Sequence, residues 1–264
     1  MCRLFFFILS ASFCFAITGC TNFAADNPVN EKLVVKTENT IISRFKVPDG
    51  YTRKVNTENS FGYYLQHLPL KDFSTEVKYY DGRIKKNNNV YVSVVDLAIG
   101  TKNLHECADA VMRLKAEWLF KHKRFSEIHF NFLSDGKPRY YNDYVKGDNS
   151  YKKFWSYLEN VFAFANTASL HDEMKKVDDI NDLLPGDVLI EKKNPYGHVV
   201  IVVDMAENEK GEKIVLLAQS YMPAQEIQIL VNPNDSELSP WYHLKEGDIV
   251  TPEWYFTSEN HRRF

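Results

Sequence analysis

A pair of cysteines for a structural disulfide is missing from the body of this chain. Of four cysteines, Cys2, Cys14 and Cys20 crowd the first twenty residues, and only Cys107 lies beyond them. An excess of basic residues is missing too. The 32 Lys and Arg stand against 35 Asp and Glu, a formal net charge of −3 with no basic stripe, which argues against nucleic acid as a partner. After residue 20 no run is long and apolar enough to span a bilayer. There is no internal repeat, low-complexity tract or charge block, and no CxxC, HExxH or phosphate loop, so neither a metal nor a cofactor is expected. What is present is a hydrophobic fraction of 44%, which fits a globular protein, and 14% aromatics, which suit broad sheet faces or a sugar-contacting surface.

The first nineteen residues read as a signal. Arg3 supplies the positive start, and Leu4 to Ile17 is apolar apart from Ser10 and Ser12. The run ends in Ile17-Thr18-Gly19-Cys20, which resembles the lipobox of bacterial lipoproteins. By that resemblance the chain is cut before Cys20 and lipidated on it. Residues 20–32, polar and carrying Asn27-Pro28, read as a tether. Residues 33–264 read as a single domain. Thr21 follows the cysteine without an aspartate, so the outer membrane is favoured over the inner.

Local patterning places helices before strands, which argues α+β. Val34 to Ile42 suggests an early strand, and Ser60 to Leu68 a short helix stopped by Pro69. Tyr79 to Gly82 is a turn signal, and Val90 to Leu97 a buried strand. Asn103 with Glu106 predicts a capping box that opens a long helix through Cys107, Val111, Leu114 and Trp118. Ile128 to Leu133 alternates like a strand, and Tyr151 to Met174 predicts a second helix. Strands then follow at Asp187–Glu191, His198–Asp204, Lys213–Ser220 and Glu226–Val231 as an antiparallel meander turned at Glu207 to Gly211.

Three residues could do chemistry. Cys107 falls near the start of the long helix, where unpaired amides stabilise an anion and a thiol can drop to roughly 3.5–7.5. The same cysteine is also in register with the apolar face, where free cysteines are often simply core. His198 begins a strand just after Gly197, the placement of a general base at a cleft rim and also of many structural histidines. Counting outward from the hairpin puts Gln219 or Ser220 opposite His198, and the Gln219 carbonyl can accept from the ring N–H. Asp204, six residues along the strand, lies roughly 20 Å away at about 3.3 Å per residue and is rejected as that partner. Arg113 and Glu117 have i, i+4 spacing and read as an ion pair. The four tryptophans, 118, 155, 241 and 254, read as core, and Tyr221 to Gln225 as either a turn or a cleft wall. His105, Cys107 and Asp109 alternate on a helix, so they point apart and are discounted as metal ligands.

A cysteine opening a helix, then GDVLI and GHVVIVVD, resembles the NlpC-type branch of the papain-like cysteine peptidases, over about Cys107 to Ser220. The resemblance implies a papain-like α+β fold with the Cys107 helix packed on the C-terminal antiparallel sheet. It also implies Cys107 as nucleophile, His198 as base and amide bonds of peptidoglycan stem peptides as substrate. The third residue of that branch is usually His, Asn or Asp, and Gln219 departs from it. A second resemblance covers nearly the whole mature chain. SFGYYLQHLPLK at Ser60–Lys71, HECADAVMRLKAEWLF at His105–Phe120, IHFNF at Ile128–Phe132, AQSYMPAQ at Ala218–Gln225, SPWYHL at Ser239–Leu244 and TPEWYF at Thr251–Phe256 are similar to an uncharacterised lipoprotein family of Gram-negative envelopes. That family is a domain of unknown function, so it implies relatives and no activity.

The expectation is an envelope-anchored cysteine hydrolase with Cys107, His198 and Gln219 at its site. Its partners would be the membrane, through lipid on Cys20, and peptidoglycan or peptide. The alternatives are a non-catalytic envelope binding lipoprotein on the same scaffold, and a cysteine-dependent acyl transferase or thioesterase. The sequence does not fix the oligomeric state.

Overall fold

The computed structural model describes residues 29–264. The signal and lipidation readings, Cys20 included, fall outside these residues. Val29 already packs on the core, and the Asn30 amide donates to Ser239 O at 3.0 Å, so the segment read as a tether is docked from there on.

The molecule mixes helices with a large antiparallel sheet. One path through the sheet runs Tyr91–Val94, Gln228–Leu230, Lys213–Gln219, His198–Asn208, Val188–Glu191, His261–Arg263 and Lys175–Lys176. Tyr51–Arg53 adds to the far end of His198–Asn208, and Tyr242–Leu244 to the start of Lys213–Gln219. The near-continuous apolar character of the central strands follows from burial on both faces. Val199, Ile201 and Val203 face the helices, while Val200, Val202 and Met205 face a second layer with Leu183, Ile249 and Phe256. The pairing register with Leu216 and Leu217 shifts between Val202 and Asp204, a bulge that changes which residues face each side beyond it.

The long helix, Cys107–Lys121, packs directly on the His198–Asn208 strand. Ala110, Val111 and Leu114 are buried. Its start differs from the expected one. Glu106 is the N-cap residue, and Asp109 Oδ2 accepts the Glu106 N–H at 2.9 Å. Asn103 instead accepts the Ala224 amide at 2.8 Å, which ties the approach to the helix to the strand-end loop. Cys107 is therefore the first helical residue, where the backbone N–H has no intrahelical acceptor.

Two other expectations are corrected. The early strand at Val34 to Ile42 gives way to a short helix, Ile41–Arg44, because Thr40 and Ser43 bond each other and the backbone in a capping box. The helix expected from Tyr151 to Met174 is two, Tyr151–Phe164 and Thr167–Glu173. Asn166 Oδ1 accepts the Ala168 and Ser169 amides at 2.9 and 3.1 Å and so starts a new helix rather than continuing the old one. The break has a consequence for the site, because it places Thr167 beside Cys107. Among the described residues no helix is long and apolar enough to cross a membrane.

Candidate functional site

The start of the Cys107 helix, the start of the Thr167 helix and the start of the His198 strand converge on one cleft of about 630 Å³. Cys107 and His198 both line it. Thr167, Lys193, Tyr196, Tyr221 and Trp254 form much of the remaining wall. A histidine that ends a loop and begins a strand is carried to the rim by a rigid sheet. Glycine is required just before it: a Cβ on Gly197 would lie 2.2 Å from the Glu191 carbonyl oxygen and 3.1 Å from Thr167 Cγ2.

Cys107 is half-buried as a residue, and its sulfur lies 3.7 Å from Thr167 Oγ1. Burial is the dominant influence and pushes the thiol up to about 11, with Asp109 acting in the same direction. The Thr167 hydroxyl and the Val199 and Ala108 amides oppose it. Loss of hydration thus outweighs the first-turn amides and holds the thiol above its ordinary range rather than in the lowered range that a helix start can give.

His198 is almost fully buried, and its Nε2 lies 2.8 Å from Gln219 Oε1. Burial pushes the imidazole down to about 4; the Gln219 acceptor opposes this and the Lys85 charge adds to it. At neutral pH the ring is thus uncharged. An uncharged ring bonded to an amide oxygen carries its proton on Nε2. Among the described residues Gln219 is the one hydrogen-bond partner recorded for the ring, and it is met by Nε2 rather than Nδ1. The ring is held among Tyr221, Trp254 and Phe256, with centroids at 4.8, 5.4 and 6.1 Å.

Asp204 lies elsewhere, as distance along the strand requires. It is sealed from solvent and accepts from Arg53 Nε at 2.9 Å and Gln66 Nε2 at 2.6 Å. Arg113 does pair with Glu117, Nε to Oε1 at 3.3 Å, and its guanidinium also stacks on Trp155. His105, Cys107 and Asp109 diverge. His105 Nδ1 faces Gln225 O at 3.2 Å, and Asp109 caps the helix. No group of three His, Cys, Asp or Glu among the described residues is arranged to hold a metal.

Sequence reasoning missed four residues around Cys107 and His198. Thr167 was hidden inside what read as one helix. Trp254, read as core, walls the cleft and donates from Nε1 to Glu191 Oε2 at 2.7 Å. Glu253 accepts from Gln219 Nε2 at 2.6 Å and from the buried Lys85 Nζ at 2.7 Å. Lys85 sits in no motif and Glu253 lies in the TPEWYF segment, which implies no chemistry, so only the fold brings them to His198.

A family model described as Domain of unknown function (4846) matches residues 41–263. No curated protein and no solved structure matches the chain.

Proposed function

The chain therefore belongs to the Domain of unknown function (4846) family, and from its cleft we propose a lipid-anchored envelope protein that hydrolyses peptide or amide bonds through Cys107 and His198. One observation carries the reading. The only cysteine in the domain and a histidine with an uncommitted Nδ1 line the same open cleft, with Gln219 behind the ring. A helix-borne cysteine, a strand-borne histidine and a side-chain amide acceptor support a papain-like reading of this half of the fold. The cell wall as target, the outer membrane as location and lipid on Cys20 as anchor rest on the sequence resemblances.

The chemistry follows from two uncharged groups. Cys107 Sγ attacks the scissile carbonyl carbon while His198 Nδ1 takes the thiol proton. The carbonyl oxygen gains the negative charge and faces the free Cys107 N–H at the helix start. The proton then passes from Nδ1 to the leaving amine, the C–N bond breaks, and a thioester remains. Water, giving its proton to Nδ1, cleaves that thioester and frees the carboxylic acid and the thiol.

The test is to incubate the full chain with peptidoglycan fragments bearing stem peptides and, in parallel, with acyl thioesters. New amine and carboxyl ends are read by mass spectrometry. Amide cleavage that disappears in Cys107→Ala supports the proposal. Thioester turnover without amide cleavage replaces it with an acyl transferase or thioesterase, and no turnover of either overturns it.

The pH profile gives a further expectation. His198 must be uncharged to accept the proton, and burial holds it uncharged down to about pH 4. The acid limb of kcat/KM, which reports the free enzyme, is expected near pH 4. A limb near 6.5, the ordinary histidine value, would contradict the buried setting of the ring.

One observation favours a second reading, a non-catalytic binding protein on the same scaffold: burial keeps the Cys107 thiol protonated at neutral pH. If Cys107 is alkylated by iodoacetamide only after unfolding, that reading replaces the hydrolase.

A further inference from the structure

Glutamine is an ambiguous partner for a catalytic histidine. Its amide offers an acceptor at one end and two donors at the other, in nearly the same shape. With the oxygen toward His198, the ring carries its proton on Nε2 and leaves a lone pair on Nδ1. With the amide turned over, Nε2 would have to accept, the proton would move to Nδ1, and the base would already be occupied. Asparagine shares this ambiguity; aspartate would not. Something outside the dyad must therefore set the polarity of Gln219.

The structure supplies it. Gln219 Nε2 lies 2.6 Å from Glu253 Oε2, and Lys85 Nζ lies 2.7 Å from that same oxygen. A carboxylate can only accept, so the nitrogen of Gln219 must face it and the oxygen must face His198. Lys85 is 3% exposed, and its ammonium lies 5.5 Å over the Tyr221 ring. An ammonium this deeply buried is costly unless paired: burial lowers the Lys85 pKa, and the Glu253 side chain beside it opposes that shift. The four groups come from separate stretches of chain, at 85, 198, 219 and 253. The donations converge on Glu253: Lys85 donates to it from one side, and from the other His198 donates to Gln219 and Gln219 to Glu253.

Resting on the hydrolase reading, we infer that Glu253, held by Lys85, is a positioning residue of the dyad: it orients the Gln219 amide and thereby keeps the His198 proton on Nε2 and the lone pair on Nδ1. Glu253 touches neither substrate nor sulfur. It acts through Gln219. This accounts for a glutamine in a place usually filled by His, Asn or Asp, because the missing polarity is provided one residue further back.

The test reads the ring directly. In the full chain carrying ¹⁵N-histidine, the two ring nitrogens of His198 have distinct shifts according to which one bears the proton. At pH 7 the native protein is expected to show a protonated Nε2 and an unprotonated Nδ1. Glu253→Gln keeps the size of the side chain and removes its acceptor-only character. In that variant the His198 shifts are expected to move toward a mixture of tautomers, and kcat to fall about 10–100-fold with KM little changed. The exchanged pair Gln219→Glu/Glu253→Gln restores an acceptor toward His198 and a donor behind it. It is expected to recover the Nε2-protonated pattern and most of the lost rate. A mere structural latch would be damaged by the exchange as much as by the single change. A folded Glu253→Gln protein that keeps the native tautomer overturns the inference. If the tautomer responds as described but no variant and no native protein turns over substrate, the positioning role stands and the hydrolase reading falls.

Discussion

Cys107→Ala is expected to reduce cleavage of a stem-peptide amide to the uncatalysed background, a loss of about 10⁴-fold or more, and adding His198→Ala is expected to cost nothing further. The two groups act in one step. Sulfur without a base attacks poorly because burial keeps it protonated, and a base without sulfur has no nucleophile to serve. Single and double losses should therefore coincide instead of multiplying. The fold should survive, since Cys107 is half-buried at the lip of the cleft and its sulfur has only Thr167 as a side-chain hydrogen-bond partner. Steady-state rates on the three variants, with thermal melts alongside, check the point. A double variant much slower than either single one would mean the residues contribute separately, which a nucleophile–base pair cannot do.

Gly197→Ala is expected to be the most damaging substitution that touches no reacting atom. Its new Cβ would sit 2.2 Å from the Glu191 carbonyl oxygen and 3.2 Å from the Lys193 amide nitrogen. Both are backbone atoms, so the loop before His198 must move. Glu191 pairs with His198 in the sheet, so the strain falls on the register that aims the imidazole. A shift of about 1 Å at the base costs about 10²-fold in rate, and relief of the overlap costs about 1–3 kcal/mol of stability. The rate of Gly197→Ala relative to native protein, corrected for the folded fraction, measures this. Unchanged activity would mean that the loop is free to yield without carrying His198 with it.

Much of this arrangement was legible in the sequence, and the boundary has physical causes. Strong β-branched apolar runs marked the four C-terminal strands, and counting through the hairpin put Gln219 or Ser220 opposite His198; the bulge between Val202 and Asp204 shifts the register so that Ala218 pairs with Ile201, and His198 reaches Gln219 through its side chain rather than as a register partner. The position of Cys107 at a helix start was legible as well. Its turn was misplaced because Asn103 and Glu106 imitate a capping box while Asp109 makes the real contact. The second long helix hid its break for a related reason: apolar periodicity runs through Ala165, and the capping strength of Asn166 is not visible in periodicity alone. Lys85, Glu253 and Trp254 could not be read in advance. Each is an ordinary residue in a loop or short strand, and each gains its place from long-range packing around the edge of the sheet. The helix start argued for a lowered thiol pKa and the apolar register for a buried one, and burial is the stronger influence on Cys107.

The most direct measurement is to trap the intermediate. The full chain is mixed with a stem-peptide substrate, quenched in acid within seconds, digested, and the Cys107 peptide weighed. The account expects the substrate acyl group on that peptide as a thioester, with one amine released for each acyl group held. Cleavage that proceeds with no acyl mass on Cys107, or that proceeds equally well in Cys107→Ala, would contradict it.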